Sequence, residues 1–143
     1  MEDEFNLERY VEAQDSGDGY ATALMEIRSG RKVSHWIWYV FPQLTGLGTS
    51  HASRRYAISS ISEARAYLRH PVLGSRLREI GHAALDGHVD DASVLFGFDD
   101  VKFRSSMTLF MLAAPDDPLF RNVIEHFFEG KADARTEALL REG

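Results

Sequence analysis

Both tryptophans of the chain, Trp36 and Trp38, stand in one stretch, Ser34-His35-Trp36-Ile37-Trp38-Tyr39-Val40-Phe41-Pro42-Gln43-Leu44. A buried tryptophan needs a partner for its indole N–H, so His35 and Gln43 read in two ways. They satisfy an aromatic core, or they orient a flat ligand stacked on Trp36 or Trp38 in an aromatic-walled pocket. Directly downstream lies Gly46-Leu47-Gly48-Thr49-Ser50-His51-Ala52-Ser53-Arg54-Arg55-Tyr56. A glycine-rich turn entering a helix presents free backbone N–H groups at a positive dipole end, where Arg54 or Arg55 could close on a phosphate or carboxylate. The turn lacks the dinucleotide fingerprint and the P-loop lysine spacing, so glycine used simply for backbone freedom is the competing reading.

A second stretch runs from Asp100 to Phe110. On a helix, Phe103, Met107, Phe110, Met111 and Ala114 share one apolar face, while Lys102, Ser105, Ser106 and Leu109 share another. Hydroxyls inside a helix are unfavourable by propensity, so packing, back-bonding to the preceding turn or a ligand placed Ser105, Ser106 and Thr108 there. Lys102 and Ser106 also have the spacing of a lysine-activated nucleophile, although no oxyanion hole or orienting third group accompanies them. The candidate ligand-binding set is therefore His35, Trp36, Trp38, Gln43, Gly46, Gly48, Arg54, Lys102, Ser105 and Ser106. The six histidines, at 35, 51, 70, 82, 88 and 126, include no His-x-His pair and no helical four-residue pair. No metal and no cofactor are expected.

These side chains must be positioned by helices. Asn6 can cap a first helix whose stripe is Leu7, Tyr10 and Val11, with Phe5 as a staple. A second helix runs from about Tyr20 to a stop at Gly30. Ser60-Ile61-Ser62-Glu63 has capping-box spacing, and Pro71 suits the first turn of a helix carrying Leu73, Leu77, Ile80 and Ala84 that ends near Gly87. Three acidic doublets, Asp90-Asp91, Asp99-Asp100 and Asp116-Asp117, each precede an apolar-periodic segment and read as helix caps rather than acid–base pairs. The last helices hold Leu119, Val123, Ile124, Phe127 and Phe128, then Leu139 and Leu140. Val33 to Phe41 has strand-like composition but is read as a short buried helix ended by Pro42. The expected fold is all-α: a compact multihelical domain of about seven to nine helices, residues 1–143, with its core at about 5–140.

Composition agrees with one globular domain: 143 residues, 44% hydrophobic and 27% charged. The chain has no cysteine, which excludes disulfides, thiolate metal sites and cysteine nucleophiles. The acidic opening Met-Glu-Asp-Glu is unlike a signal peptide, and the apolar run Trp36–Phe41 is far short of the roughly 18 residues of a membrane span. A soluble, cytoplasmic protein without membrane contact is expected. The net charge of −6 is uneven. Residues 1–30 carry eight acids against two bases, residues 31–80 two against eight, and residues 81–143 twelve against six. The total disfavours a nucleic-acid partner, while the basic middle permits a local anion site.

Several segments resemble a bacterial family. They are Asn6-Leu7-Glu8-Arg9-Tyr10-Val11-Glu12-Ala13-Gln14, Gly30-Arg31-Lys32-Val33 running into the tryptophan stretch, Arg55-Tyr56-Ala57-Ile58, Ala66-Tyr67-Leu68-Arg69-His70-Pro71-Val72-Leu73-Gly74, and Arg104-Ser105-Ser106-Met107-Thr108-Leu109-Phe110. Together they are similar to the domain-of-unknown-function family 1810, often labelled calpastatin. The resemblance spans about Phe5 to Leu140 and implies a compact, mainly α-helical domain, but no reaction. The calpastatin label conflicts with the residues, because that inhibitor class is disordered and polar. The functional expectation is binding, with turnover left open, of a small anionic or nucleotide-like ligand in an aromatic-lined pocket. The alternative is a non-enzymatic interaction or regulatory module in which the tryptophan motif is core and the protein partner is unknown.

Overall fold

The computed structural model describes residues 3–142. Ten α-helices follow one another: α1 (Glu8–Gln14), α2 (Tyr20–Arg28), α3 (Ile37–Val40), α4 (His51–Arg55), α5 (Ile61–Arg69), α6 (Leu73–Asp86), α7 (Ala92–Phe96), α8 (Asp100–Ala113), α9 (Pro118–Phe128) and α10 (Ala134–Glu142). Seven of them have seven residues or more; α3, α4 and α7 are single turns, and a 3-10 turn, Gly97–Asp99, joins α7 to α8. Among the described residues the only β pairing is one parallel bridge between Leu44 and Ile58. The fold is all-α, in a single multihelical domain. Met1 and Glu2, half of the acidic opening, lie outside the described residues.

Helix α8 organises the core. Nine of its fourteen residues are buried, including Phe103, Met107 and Phe110, and it packs most extensively on α9 and then on α5. Apolar side chains on nearly every side are what a helix surrounded by others requires. Phe103 stacks on Phe96 with ring centroids 4.0 Å apart and meets Phe41 edge-on at 5.0 Å. Gly74 lets α6 cross the end of α5, since a Cβ there would lie 2.1 Å from the Leu68 carbonyl oxygen.

Several caps differ from expectation. Asn6 does not cap α1; it adopts φ +53°, and the Asp3 carboxylate accepts from the Leu7 and Glu8 amides instead. A carboxylate reaching over one turn satisfies two orphan amides at once. The Ser60 hydroxyl caps α5 as expected, but Glu63 turns to Ser59 and to Arg9 rather than to Ser60. Asp91 and Asp117 cap α7 and α9. Asp99 makes no cap bond, because two lysines occupy its oxygens. The helix expected over Val33–Phe41 is shorter than predicted. Val33 is exposed and only Ile37–Val40 is helical, because Glu26 of α2 captures the preceding backbone.

Candidate functional site

Glu26 explains how the tryptophan stretch is held. It is 7% exposed, and its carboxylate accepts from the Val33 amide (2.8 Å), the Ser34 amide (2.9 Å), the Ser34 hydroxyl (2.6 Å) and the Trp36 indole N–H (2.9 Å). Burial pushes its carboxyl upward, but the bonds from Ser34, Val33 and Trp36 outweigh burial and bring it down to about 2. Trp36 is thereby fully buried core, packed near Phe41 and Phe96. Its indole partner is Glu26, not His35 or Gln43.

Trp36 caps the single turn of α3, and Trp38, two residues on, lies within that turn and faces a different side. Trp38 is accordingly half-buried and lines a cavity of about 230 Å³. Gln43, Lys102 and Ser105 line it too, joined by Phe98 and Arg135. Leu47 and Val101 complete its apolar wall. Four side chains singled out from the sequence thus converge on one concavity built by α3, the segment after it, α8 and α10.

Each is placed by a nameable contact. The backbone of Gln43 is pinned because its carbonyl accepts from the Ile58 amide at 2.8 Å, within the single β-bridge. Its side-chain Nε2 is buried and finds no partner among the described residues. Lys102 holds its ammonium 5.0 Å from the Trp38 ring centroid while donating to Asp99 at 2.7 Å. The other Asp99 oxygen meets Lys32 at 2.8 Å, and Lys32 lies 4.9 Å over the Trp36 ring. Burial raises the Asp99 carboxyl, yet the two lysines outweigh that and lower it. Arg135 reaches the Gly46 carbonyl at 3.1 Å. The lining residues carry two cations and no carboxylate. A ring-stacking surface, an unpaired donor and excess positive charge suit a small molecule bearing acceptor atoms and negative charge.

The other candidates fall elsewhere. His35 is exposed, and its backbone carbonyl accepts from the Tyr39 hydroxyl. Gly46 takes φ +97° and supplies the carbonyl for Arg135, while Gly48 lets the turn close on Ser53 of α4, since a Cβ at Gly48 would lie 2.7 Å from the serine Cβ and 3.8 Å from the Trp38 ring. Arg54 does not join them: it lines a different cleft with Arg9 and Glu63. The α4 start is also occupied, since Ser50 caps it by accepting from Ser53 N. Ser106 is fully buried with its hydroxyl unpartnered, and Lys102 is engaged by Asp99 rather than by Ser106, so the lysine–serine pair is not assembled. The hydroxyls of Ser105 and Thr108 bond back to Val101 and Arg104 carbonyls one turn earlier. Among the described residues no three histidine or acidic side chains gather as a metal site.

Sequence reasoning missed Arg135, Phe98, Glu26 and Asp99 as site-building residues. The Asp99–Lys102 spacing is an i,i+3 pair and was legible in principle. Arg135 had no local signal, being 89 positions from Gly46, the residue it contacts.

Larger clefts exist, but they lack this combination. The cleft holding Arg54, about 690 Å³, contains Arg9, whose guanidinium is already spent on five oxygen partners besides Glu63. Another, about 560 Å³, lies between the ends of α2 and α6 and includes Ile27, Ala83, His82 and His88. Two buried side-chain polar atoms lack a partner among the described residues, Gln43 Nε2 and Ser106 Oγ, and Gln43 lines the Trp38 cavity.

Comparison with known proteins agrees with this architecture. A family model described as "Protein of unknown function (DUF1810)" matches residues 4–140. The crystal structure of a conserved hypothetical protein from Mycobacterium tuberculosis superimposes with a TM-score of 0.93 at 44% sequence identity, covering 97% of this chain and 99% of that one. No curated protein matches. Among the described residues no helix is long and apolar enough to cross a membrane.

Proposed function

The chain belongs to the domain-of-unknown-function family 1810, and we propose that it binds a small anionic ligand in the cavity between Trp38 and Arg135. The observation that carries this reading is Gln43 Nε2, a buried donor without a partner among the described residues, on a residue lining a cavity with two cations and no carboxylate. Buried donors are satisfied in the great majority of cases, and leaving one unpaired costs about 1–3 kcal/mol. A ligand acceptor atom would remove that cost. Lys102 and Arg135 would meet the negative charge, and Trp38 would cover an apolar face. At about 230 Å³ the cavity lies just below the usual range for small-molecule sites, so it suits a compact ligand rather than a dinucleotide.

The test is a thermal-shift titration with phosphate, sulfate, nucleoside monophosphates and small carboxylic acids. A bound anion raises the melting temperature by linkage, and added salt weakens the effect. Arg135→Ala combined with Lys102→Ala should abolish the response while Arg54→Ala preserves it. No stabilisation of the wild type at millimolar anion, or equal stabilisation of the double variant, would sink the reading.

A further inference from the structure

We infer that Phe98 forms the second face of this site, so that the ligand is a planar aromatic anion held between the Trp38 and Phe98 rings. The inference rests on the anion-binding reading and narrows it to one substrate class. Phe98 is 100% exposed while lining the same cavity as Trp38. The other eight phenylalanines of the chain are buried or partly buried, and all eight lie in or against the hydrophobic core. Phe98 lies outside that core and pairs with no aromatic ring among the described residues.

Its backbone explains how such a residue is kept in place. Gly97 precedes it at φ +62°, a conformation open to glycine, and a Cβ at Gly97 would meet nothing within 4 Å. The conformation is therefore required by the turn and not by crowding. Asp99 follows and is anchored from both sides by Lys32 and Lys102. The main chain is tethered at the cavity rim while the ring itself is unpacked. Lys102 holds its ammonium 5.0 Å from the Trp38 ring, so a flat ligand between two aromatic faces would keep its negative charge within reach of that cation. An aliphatic anion would use Lys102, Arg135 and Gln43 equally well but would gain nothing from Phe98.

The experiment measures dissociation constants of the full chain by calorimetry, for orotate and nicotinate as planar anions and for citrate and glycerol 3-phosphate as non-planar ones. The wild type, Phe98→Ala and Phe98→Tyr are compared. Removing one stacking face should weaken planar anions by about tenfold, within the range for ring stacking. Non-planar anions should be unaffected, and Phe98→Tyr should retain planar binding. Because Phe98 lies outside the core, the unliganded melting temperature should not move, which separates a stacking role from a folding role. Planar anions bound equally well by Phe98→Ala, or non-planar anions bound as tightly as planar ones by the wild type, would overturn the inference and leave anion binding intact. No binding of either class by the wild type would remove the underlying reading and this one together.

Discussion

Trp36 and Trp38 are two residues apart and have opposite surroundings. Trp36 is fully buried, with its indole bonded to Glu26, so Trp36→Ala is expected to cost about 3–5 kcal/mol, as large aromatic truncations in cores do. Trp38 is half-buried against a cavity, and Trp38→Ala is expected to cost about 1–2 kcal/mol while removing anion binding. Urea midpoints of the two variants check this; equal losses would place both rings in the core. Gln43 makes the sharper test at this scale. Replacing an unpaired buried amide by an apolar side chain of similar shape removes a desolvation penalty, so Gln43→Met is expected to stabilise the unliganded chain by about 1 kcal/mol. The same variant should lose the thermal response to anions. A destabilised Gln43→Met would show that the amide holds the fold rather than a ligand.

At the scale of elements, α2 holds the tryptophan segment through one carboxylate. Glu26 titrates at about 2 in the folded chain against an ordinary value of 4.5. A depressed carboxyl contributes stability that is complete above its unfolded value and is lost as pH falls through the folded value. Stability should therefore decline between about pH 4.5 and 2, with the lowered Asp99 carboxyl adding to the decline below its ordinary 3.8. Glu26→Gln should lower neutral-pH stability by about 2–3 kcal/mol, since bonds to a charged acceptor are the stronger kind, and should flatten that acid limb. Denaturant melts at pH 7, 4 and 2.5 decide it; an unchanged acid limb would show that other carboxylates dominate. A similar device fixes α10. Thr108 of α8 accepts from the Asp133 amide, and Asp133 in turn caps the helix that carries Arg135. The cation of the site is thus positioned from the central helix.

At the scale of the whole molecule, one hydrophobic cluster among the described residues runs from Leu7 to Ile124 and takes in side chains from α1 to α9 except α4. A continuous core without a dividing linker predicts all-or-none unfolding. Trp36 fluorescence and far-ultraviolet circular dichroism should give coincident transitions, and amides of α8 should exchange slowest because that helix is buried on most sides. Non-coincident transitions, or faster exchange in α8 than in α10, would contradict the single core. The uneven charge, acidic at both ends and basic between, is partly cancelled in space. Arg76 and Arg78 of the basic middle meet Asp15 and Asp117 of the acidic ends across long sequence separations.

Helix content, the stops at Gly30 and Gly87, the Ser60 cap and the aspartate caps at 91 and 117 were legible in the residues. They depend on contacts within one turn, which spacing alone specifies. The same locality made Trp38, Gln43, Lys102 and Ser105 visible as unusual residue types. It did not decide which of two neighbouring tryptophans faces inward. That depended on a single turn of helix whose start is set by Glu26, eight to ten residues back along the chain. Nor did it show that Asp99 would abandon its cap for Lys32, 67 residues earlier, or that Arg135 would cross 89 positions to reach Gly46. Those pairings form only when helices from distant parts of the chain pack on α8 and bury their shared apolar faces. The cavity is what that packing leaves open, and so tertiary structure alone decided which of the noticeable residues share it.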